Sequence, residues 1–568
     1  MHKYHCIAFY ILCRILLQLS FVHYCNIKRR TCTSFGLLNM PPFKSIGSLS
    51  DICTDWVWRW LFHCLKHQAK PEDRLQQRQY VISTLNPNVR QQLLNRICGS
   101  HMYRVSLSSK CFLIEMLGDK STHCLDLSQS GLYYIDEIFQ FYRTLTFGLL
   151  LSLTKLGIKC NVSSLNDQKL LPDLNITFYR VFNQMGNLRW VTLTGVGDTP
   201  ILCTLGSNCH HLEYLDISGS PYVKDESIAR LLVQDSLALC GRSLEQISRQ
   251  ELATTPLCKT LSIVCVSGTD ITMVSAIILL HYLPRLTSLG GQIDCGSVCE
   301  VIRLLQPETD NQDVSSDGPK VFEFEELSDS CITPENASLL CLSCPKVKRL
   351  TTTMINMQSL HVLHPLQSLT IEDMRGDPLY IYNYLQMRGD SLKELILCDN
   401  LTCPLDLTWI MELTPNLEQL RGNICIDDSY EVPNWDKLLV ATVTVNSSKV
   451  LLELLTHAPG LRELSIDFLP EPYSETSDCI NDNLIIYIAL KGGLKCVEKL
   501  VIKECAISIK GIDCLLIHCP ELWYLAPVSF WHNVSEDDVK RLRTEAVENN
   551  WKLKIVVYHD WEAAVWEN

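Results

Sequence analysis

The chain has 568 residues, 47% of them hydrophobic and 20% charged, with a formal net charge of −13. A length of that order ordinarily supplies about three or four domains, and the apolar fraction is ample for a large core. An acidic balance without a basic stripe argues against nucleic acid as the main partner, because binding phosphates needs clustered lysine and arginine.

Residues 1–44 read as an N-terminal extension. Met1-His2-Lys3 precedes an apolar run from Cys6 to Val22, and Lys28-Arg29-Arg30 follows it. That is the outline of a weak signal peptide or anchor. Arg14 and Gln18 interrupt the run, no small-residue cleavage site follows, and a membrane span needs about 20 clean apolar residues. No stable membrane span is expected. Pro41-Pro42 marks the end of the extension.

Residues 45–103 read as a helical module. Leu49, Ile52, Cys53, Val57, Trp60, Leu61 and Cys64 recur at helical spacing. Gln68 to Arg78 is a polar, charged stretch that suits either a loop or an exposed helix face. A second helix follows Asn86-Pro87 and carries Val89, Leu93, Leu94 and Ile97.

From about residue 104 a repeat takes over. Leu212-Glu213-Tyr214-Leu215-Asp216-Ile217 is an L-x-x-L-x-L unit, and the frame returns from Leu188, Leu366, Leu392, Leu461 and Val497. Neighbouring units are mostly 24–26 residues apart, within the range of leucine-rich repeats. A period this long implies a full helix behind each strand. The expected fold is therefore an α/β leucine-rich-repeat solenoid over 104–568, ribonuclease-inhibitor-like, behind the helical module. Acidic interruptions near 306–319 and 470–478 read as loops. Ser535-Glu536-Asp537-Asp538 reads as a capping box opening a helix to about Glu548, and Trp551 to Val557 as a last strand.

There are 28 cysteines, spread through apolar segments. They read as reduced, buried thiols of a cytoplasmic or nuclear protein. Six N-x-S/T sequons, among them Asn175 and Asn446, would matter only in a secreted chain.

No nucleophile elbow, zincin helix or phosphate-cradling glycine loop is present, so no enzyme and no cofactor are expected. Cys341-Leu342-Ser343-Cys344 lacks the second pair a zinc site needs, and Cys209-His210-His211 lies at a helix-to-strand junction; both read as packing. Alternation along a strand sends two apolar residues inward and the residues between them to the concave face. The substrate surface expected there comprises Trp190, Tyr214, Asp216, Glu394, Glu463 and Tyr524. Aromatic anchors beside carboxylates suit a peptide carrying a basic group.

The sharper signal is upstream. In Ser48-Leu49-Ser50-Asp51-Ile52-Cys53-Thr54-Asp55-Trp56-Val57, Leu49, Cys53 and Val57 stand four residues apart and form one helix stripe that can enter a groove. The stretch resembles the elongin-binding BC box, and Leu85-Asn86-Pro87-Asn88-Val89-Arg90-Gln91-Gln92-Leu93-Leu94 resembles the cullin-selecting box that follows one. The arrangement is similar to the leucine-rich substrate receptors of elongin–cullin ubiquitin ligases, such as the Zyg-eleven/Zer-one family. It departs from that pattern at Asn86, where an apolar residue usually precedes the proline. The resemblance implies that Leu49, Cys53 and Val57 bind elongin C of an elongin B/C pair. It implies that Pro87, Val89 and Leu93 contact a cullin, and that a substrate protein sits on the repeats. Three other readings stay open: a scaffold whose N-terminal helices only cap the repeats, an F-box-type receptor, and a secreted leucine-rich receptor.

Overall fold

The computed structural model describes residues 71–99, 107–128, 152–160, 181–233, 255–290, 297–306, 320–355, 362–372, 379–398, 404–426, 433–468, 479–503, 505–549 and 551–556, with Val57, Phe141, Thr144, Leu145 and Leu360 as isolated positions. These residues fall into two compact units, residues 57–366 and 367–568.

The first unit opens with helices α1 (Pro71–Thr84), α2 (Pro87–Cys98) and α3 (Leu107–Leu117). The polar stretch at 68–78 thus contributes to a helix, and α3 lies beyond the boundary expected at 103. Helix α2 starts where it does because the Asn86 side chain accepts a hydrogen bond from Asn88 N at 2.9 Å and Pro87 occupies the first turn. An N-cap oxygen followed by proline satisfies one orphan donor and removes another. The polar residue at 86 therefore has a local structural task. Helix α1 is tied to α3 through Arg78, which donates to Glu115 O at 2.8 Å and Gly118 O at 2.7 Å.

Eight parallel strands follow: β1 (Cys124–Asp126), β2 (Lys155–Lys159), β3 (Trp190–Thr194), β4 (Tyr214–Asp216), β5 (Ile263–Cys265), β6 (Ser288–Gly290), β7 (Glu326–Ile332) and β8 (Arg349–Ile355). Each pairs with the next in chain order. Their second residues fall in one row, Leu125, Leu156, Val191, Leu215, Val264, Leu289, Leu327 and Leu350, and every one is buried. Behind the strands run α4 (Thr199–Asn208), α5 (Asp225–Leu231), α6 (Met273–Tyr282), α7 (Val298–Leu304) and α8 (Pro334–Ser343). The row is the point of the repeat. At about 2 kcal/mol for each fully buried aliphatic side chain, no strand could hide its leucine without a neighbour.

Helix starts are fixed by oxygen acceptors. Asp198, Thr272, Ser297 and Thr333 each accept from a first-turn backbone N–H. Carboxylates also staple adjacent repeats: Asp225 of α5 accepts from Thr272 N at 2.8 Å and from Thr272 Oγ1 at 2.6 Å at the start of α6. Gly195 leaves β3 at φ +77, where an added Cβ would meet Cys160 O at 2.2 Å. A side chain fits there neither conformationally nor spatially.

The second unit repeats the plan. Strands β9 (Ser368–Ile371), β10 (Glu394–Leu397), β11 (Leu405–Asp406), β12 (Gln419–Cys425), β13 (Val440–Val445), β14 (Glu463–Phe468), β15 (Lys499–Lys503), β16 (Cys505–Ser508), β17 (Tyr524–Ala526), β18 (Trp531–Asn533) and β19 (Lys554–Ile555) alternate with α9 (Leu379–Arg388), α10 (Leu407–Leu413), α11 (Ser448–His457), α12 (Asp482–Lys491), α13 (Ile509–His518) and α14 (Glu536–Glu548). The buried row here is Leu369, Leu395, Leu420, Ala441, Leu464, Leu500, Leu525 and Ile555. Two buried tryptophans lock neighbouring repeats through their indole N–H groups, Trp435 to Thr414 O and Trp531 to Ile502 O, both at 2.9 Å. Helix α14 opens with a reciprocal capping box between Ser535 and Asp538.

The cysteines whose side chains are described are reduced thiols, in no disulfide. Burial pushes Cys98, Cys209 and Cys344 up to about 12, which keeps them protonated and inert.

Candidate functional site

On the exposed side of the first unit's sheet, the opening residues of the strands form a second row: Lys155, Trp190, Tyr214, Ile263 and Ser288, one per repeat. Trp190 and Tyr214 face each other in register, and their rings stack at 3.9 Å between centroids and 11° between planes. Trp190 remains 40% exposed. A large aromatic left open on a strand face, with its neighbour already holding it flat, is a preorganised anchor point.

Charge brackets the shelf. Lys155 Nζ lies 5.5 Å from the Trp190 ring centroid and 2.9 Å from Asp126 Oδ2. The hydrogen bond to Asp126 holds the Lys155 ammonium above its usual range. Burial works to raise the Asp126 carboxyl, but hydrogen bonds from Ser128 and Lys155 hold it below the ordinary range. Both groups are therefore ionised at neutral pH. Asp126 can lie over β2 because position 157 is glycine, where a Cβ would meet Asp126 Oδ1 at 2.1 Å. On the other flank, Asp216 is half-buried, accepts from Ser218 N at 2.9 Å and has Thr194 Oγ1 at 3.5 Å. Tyr214 is steadied by Cys265, whose Sγ stands 3.9 Å from the phenol oxygen, and burial drives the phenol well above its usual range.

The shelf offers a 40% exposed indole held between Lys155 and Tyr214, two carboxylates and apolar Ile263. Among the described residues no group of three or more His, Cys, Asp and Glu side chains could hold a metal ion.

The six expected surface residues divide between the units. Trp190, Tyr214 and Asp216 stand together in the first. In the second, Glu394 and Glu463 are half-buried strand-opening residues, separated in register by Gln419 and Val440. Three strand spacings are about 14 Å, so they form no cluster. Glu394 accepts from Ser368 Oγ at 2.7 Å, and Glu463 pairs with Lys499 at 3.6 Å. Tyr524 departs from expectation, being 6% exposed. Its ring is bracketed by the ammonium groups of Lys499 at 5.5 Å and Lys554 at 5.4 Å.

Lysine 155 and Asp126 were missed as site residues. Leu153-Thr154-Lys155-Leu156-Gly157-Ile158 fits the repeat frame, and reading it would have placed Lys155 beside Trp190.

At the N-terminal module, Leu49 and Cys53 lie outside the described residues. Val57 is helical and half-buried. On α2, Pro87 is exposed, Val89 half-buried and Leu93 wholly buried. Leu93 thus offers no side-chain surface to a second protein in this conformation. The same buried face carries Arg90 and Gln91. Arg90 donates to Ile82 O and Leu85 O and pairs with Asp119 at 2.7 Å. Gln91 Nε2 donates to Cys124 O at 2.7 Å, while its Oε1 accepts from His123 N at 3.0 Å. A side-chain amide thereby closes the edge of β1, as a preceding strand would.

No protein-family model matches the chain, and no curated protein matches it. Among solved structures it is similar to the crystal structure of the Rad7 and Elc1 complex in yeast, at 14% identity over 88% of this chain and 91% of that one, with a TM-score of 0.34. It is also similar to the leucine-rich-repeat protein LIC12759 of Leptospira interrogans, at 15% identity, 76% of this chain, 94% of that one and a TM-score of 0.31. TLR13 in its complex with ssRNA13 aligns at 16% identity over 74% of this chain and 54% of that one, with a TM-score of 0.33. The parallel strand rows and the capped helices behind them make this an α/β leucine-rich-repeat protein. No described helix is long and apolar enough to cross a membrane.

Proposed function

We propose that the chain is the substrate-recognition subunit of a cullin–RING ubiquitin ligase. In this reading Leu49, Cys53 and Val57 engage elongin C, the exposed part of α2 around Pro87 and Val89 faces a cullin, and the concave repeat face takes the target protein. The adaptor half of the reading rests on the spacing of Leu49, Cys53 and Val57 ahead of a helical module. The target half rests on one observation, the open Trp190–Tyr214 stack between Asp126 and Asp216. Carboxylates beside an exposed indole favour a peptide that presents a lysine, an arginine or a free amino group. Affinity capture of the tagged chain tests the proposal. Elongins B and C and a cullin are expected in the eluate, and all three should be lost on Leu49→Ala with Cys53→Ala; an eluate without elongins sinks it.

A second reading has its own support. The buried Gln91 and Arg90 contacts suit α2 as a cap that seals the first repeat, in which case the chain is a scaffold without a ligase. The two roles use different faces of one helix, and the same capture experiment separates them.

A further inference from the structure

On the open face of the first unit the strands carry charges of both signs: Asp126 of β1, Lys155 and Lys159 of β2, Asp216 of β4, Glu326 of β7 and Arg349 of β8. Most are closed in pairs. Lys155 meets Asp126 at 2.9 Å, and Arg349 meets Glu326 at 2.8 Å. Lys159 and Asp216 are left open. Both are half-buried, and neither has an ion-pair partner among the described residues. The hydrogen bonds to Asp216 come from neutral groups, Ser218 N at 2.9 Å and Thr194 Oγ1 at 3.5 Å. Its charge is felt next door: burial first, and then Asp216, push the Cys265 thiol up to about 11. Register fixes the spacing of the open charges. Lys159 faces Thr194 on β3, and Thr192 faces Asp216 on β4. They stand two strands apart and two residues along, about 12 Å between backbones, with β3 and its Trp190 between them.

We propose that the shelf reads a target segment with charges of both signs, a basic side chain held by Asp216 and an acidic one held by Lys159, about three or four residues apart in an extended chain. This rests on the target-binding role proposed above for the shelf and narrows the class of target. The closed pairs choose between the carboxylates. A target cation approaching Asp126 meets the Lys155 ammonium already bound there, so attraction and repulsion largely cancel. At Asp216 no cation competes. Lys159, conversely, is the ammonium with no carboxylate of its own. A half-buried charge without a partner has lost part of its hydration. A ligand of opposite charge offsets that loss, and one of like charge is repelled. Two open charges at a fixed separation thus select both the signs and the spacing of the target's charges.

Selection from a random peptide library displayed on phage, with the purified full-length chain as bait, tests this. The wild type should enrich peptides in which Lys or Arg stands about three or four residues from Asp or Glu. Asp216→Asn keeps the acceptor for Ser218 N and should lose the basic preference alone; Lys159→Ala should lose the acidic preference alone. Each should weaken a peptide selected by the wild type by about tenfold in Kd. Asp216→Lys should replace the enriched basic residue by an acidic one, which a merely structural role of Asp216 would not do. Trp190→Ala separates this proposal from the role it rests on. If that variant binds the selected peptides at the wild-type Kd, the shelf is not the target surface and both fall. If binding needs Trp190 but the enriched charges ignore Asp216 and Lys159, only the two-charge proposal is overturned. A wild type that enriches basic residues without acidic ones, or enriches nothing, overturns it as well.

Discussion

Gln91 and Cys124 are joined as two adjacent strands would be, although one of them sits on a helix. The Gln91 amide donates to Cys124 O at 2.7 Å and its oxygen faces Cys124 N at 3.3 Å. The first strand of a parallel sheet otherwise presents bare backbone groups, and this glutamine covers them. Truncation to Gln91→Ala should cost about 1–3 kcal/mol, the desolvation penalty of groups left without partners. Urea denaturation should show that loss, together with faster exchange at the His123 and Cys124 amides. An unchanged midpoint would mean that water replaces the amide at no cost.

Burial decides which ion pairs matter. Arg90 and Asp119 meet at 2.7 Å with side-chain exposures of 4% and 17%. Lys346 and Glu323 pair in the open at the surface. Removing one partner of a buried pair costs about 3–5 kcal/mol, whereas an exposed pair contributes about 0–1 kcal/mol. Arg90→Ala should therefore destabilise the chain severely, and Lys346→Ala barely. Similar melting temperatures for the two variants would contradict this ordering.

Asp198 provides a pH signature. It caps α4 while almost wholly buried, and burial lifts its carboxyl from 3.8 to about 6, with the hydrogen bond from Ile201 N partly opposing the shift. The folded chain then keeps a proton that the unfolded chain has released. Stability from this group is full below the unfolded value of 3.8 and is lost as pH rises through about 6. The shift corresponds to roughly 3 kcal/mol. Asp198→Asn retains the cap without the charge, so its stability should lose the decline across that window and match or exceed wild type at neutral pH. Parallel stability-against-pH curves for the two proteins would refute the assignment.

Much of this was legible in advance, and the exceptions have physical reasons. The apolar row of the repeat is visible wherever the frame opens with leucine, as at Leu188 and Leu212, and alternation then places Trp190 and Tyr214 on the open face. Helix α1 was obscure because its anchor is Arg78, a charged side chain bonded to carbonyls of α3 more than thirty residues away. Asn86 departs from the cullin-selecting pattern, and its side chain caps α2, a local role that a motif comparison does not reveal. Tyr524 obeys the alternation rule and is buried all the same, since alternation reports which way a residue points and not what lies over it.

Trp190→Ala tests the shelf itself. The indole is 40% exposed, so its loss should move the melting temperature little. If a target binds there, its affinity should fall by about thirtyfold or more, as for a central aromatic anchor. Unaltered capture of the same target by this variant would move the binding surface elsewhere.

The adaptor claim meets its most direct measurement in light scattering on size-exclusion fractions of the purified chain mixed with purified elongin B–elongin C. The account predicts one stable complex with one copy of each protein for the wild type, and separate peaks for the Leu49→Ala, Cys53→Ala variant. Separate peaks for the wild type, or the same complex with the variant, would contradict it.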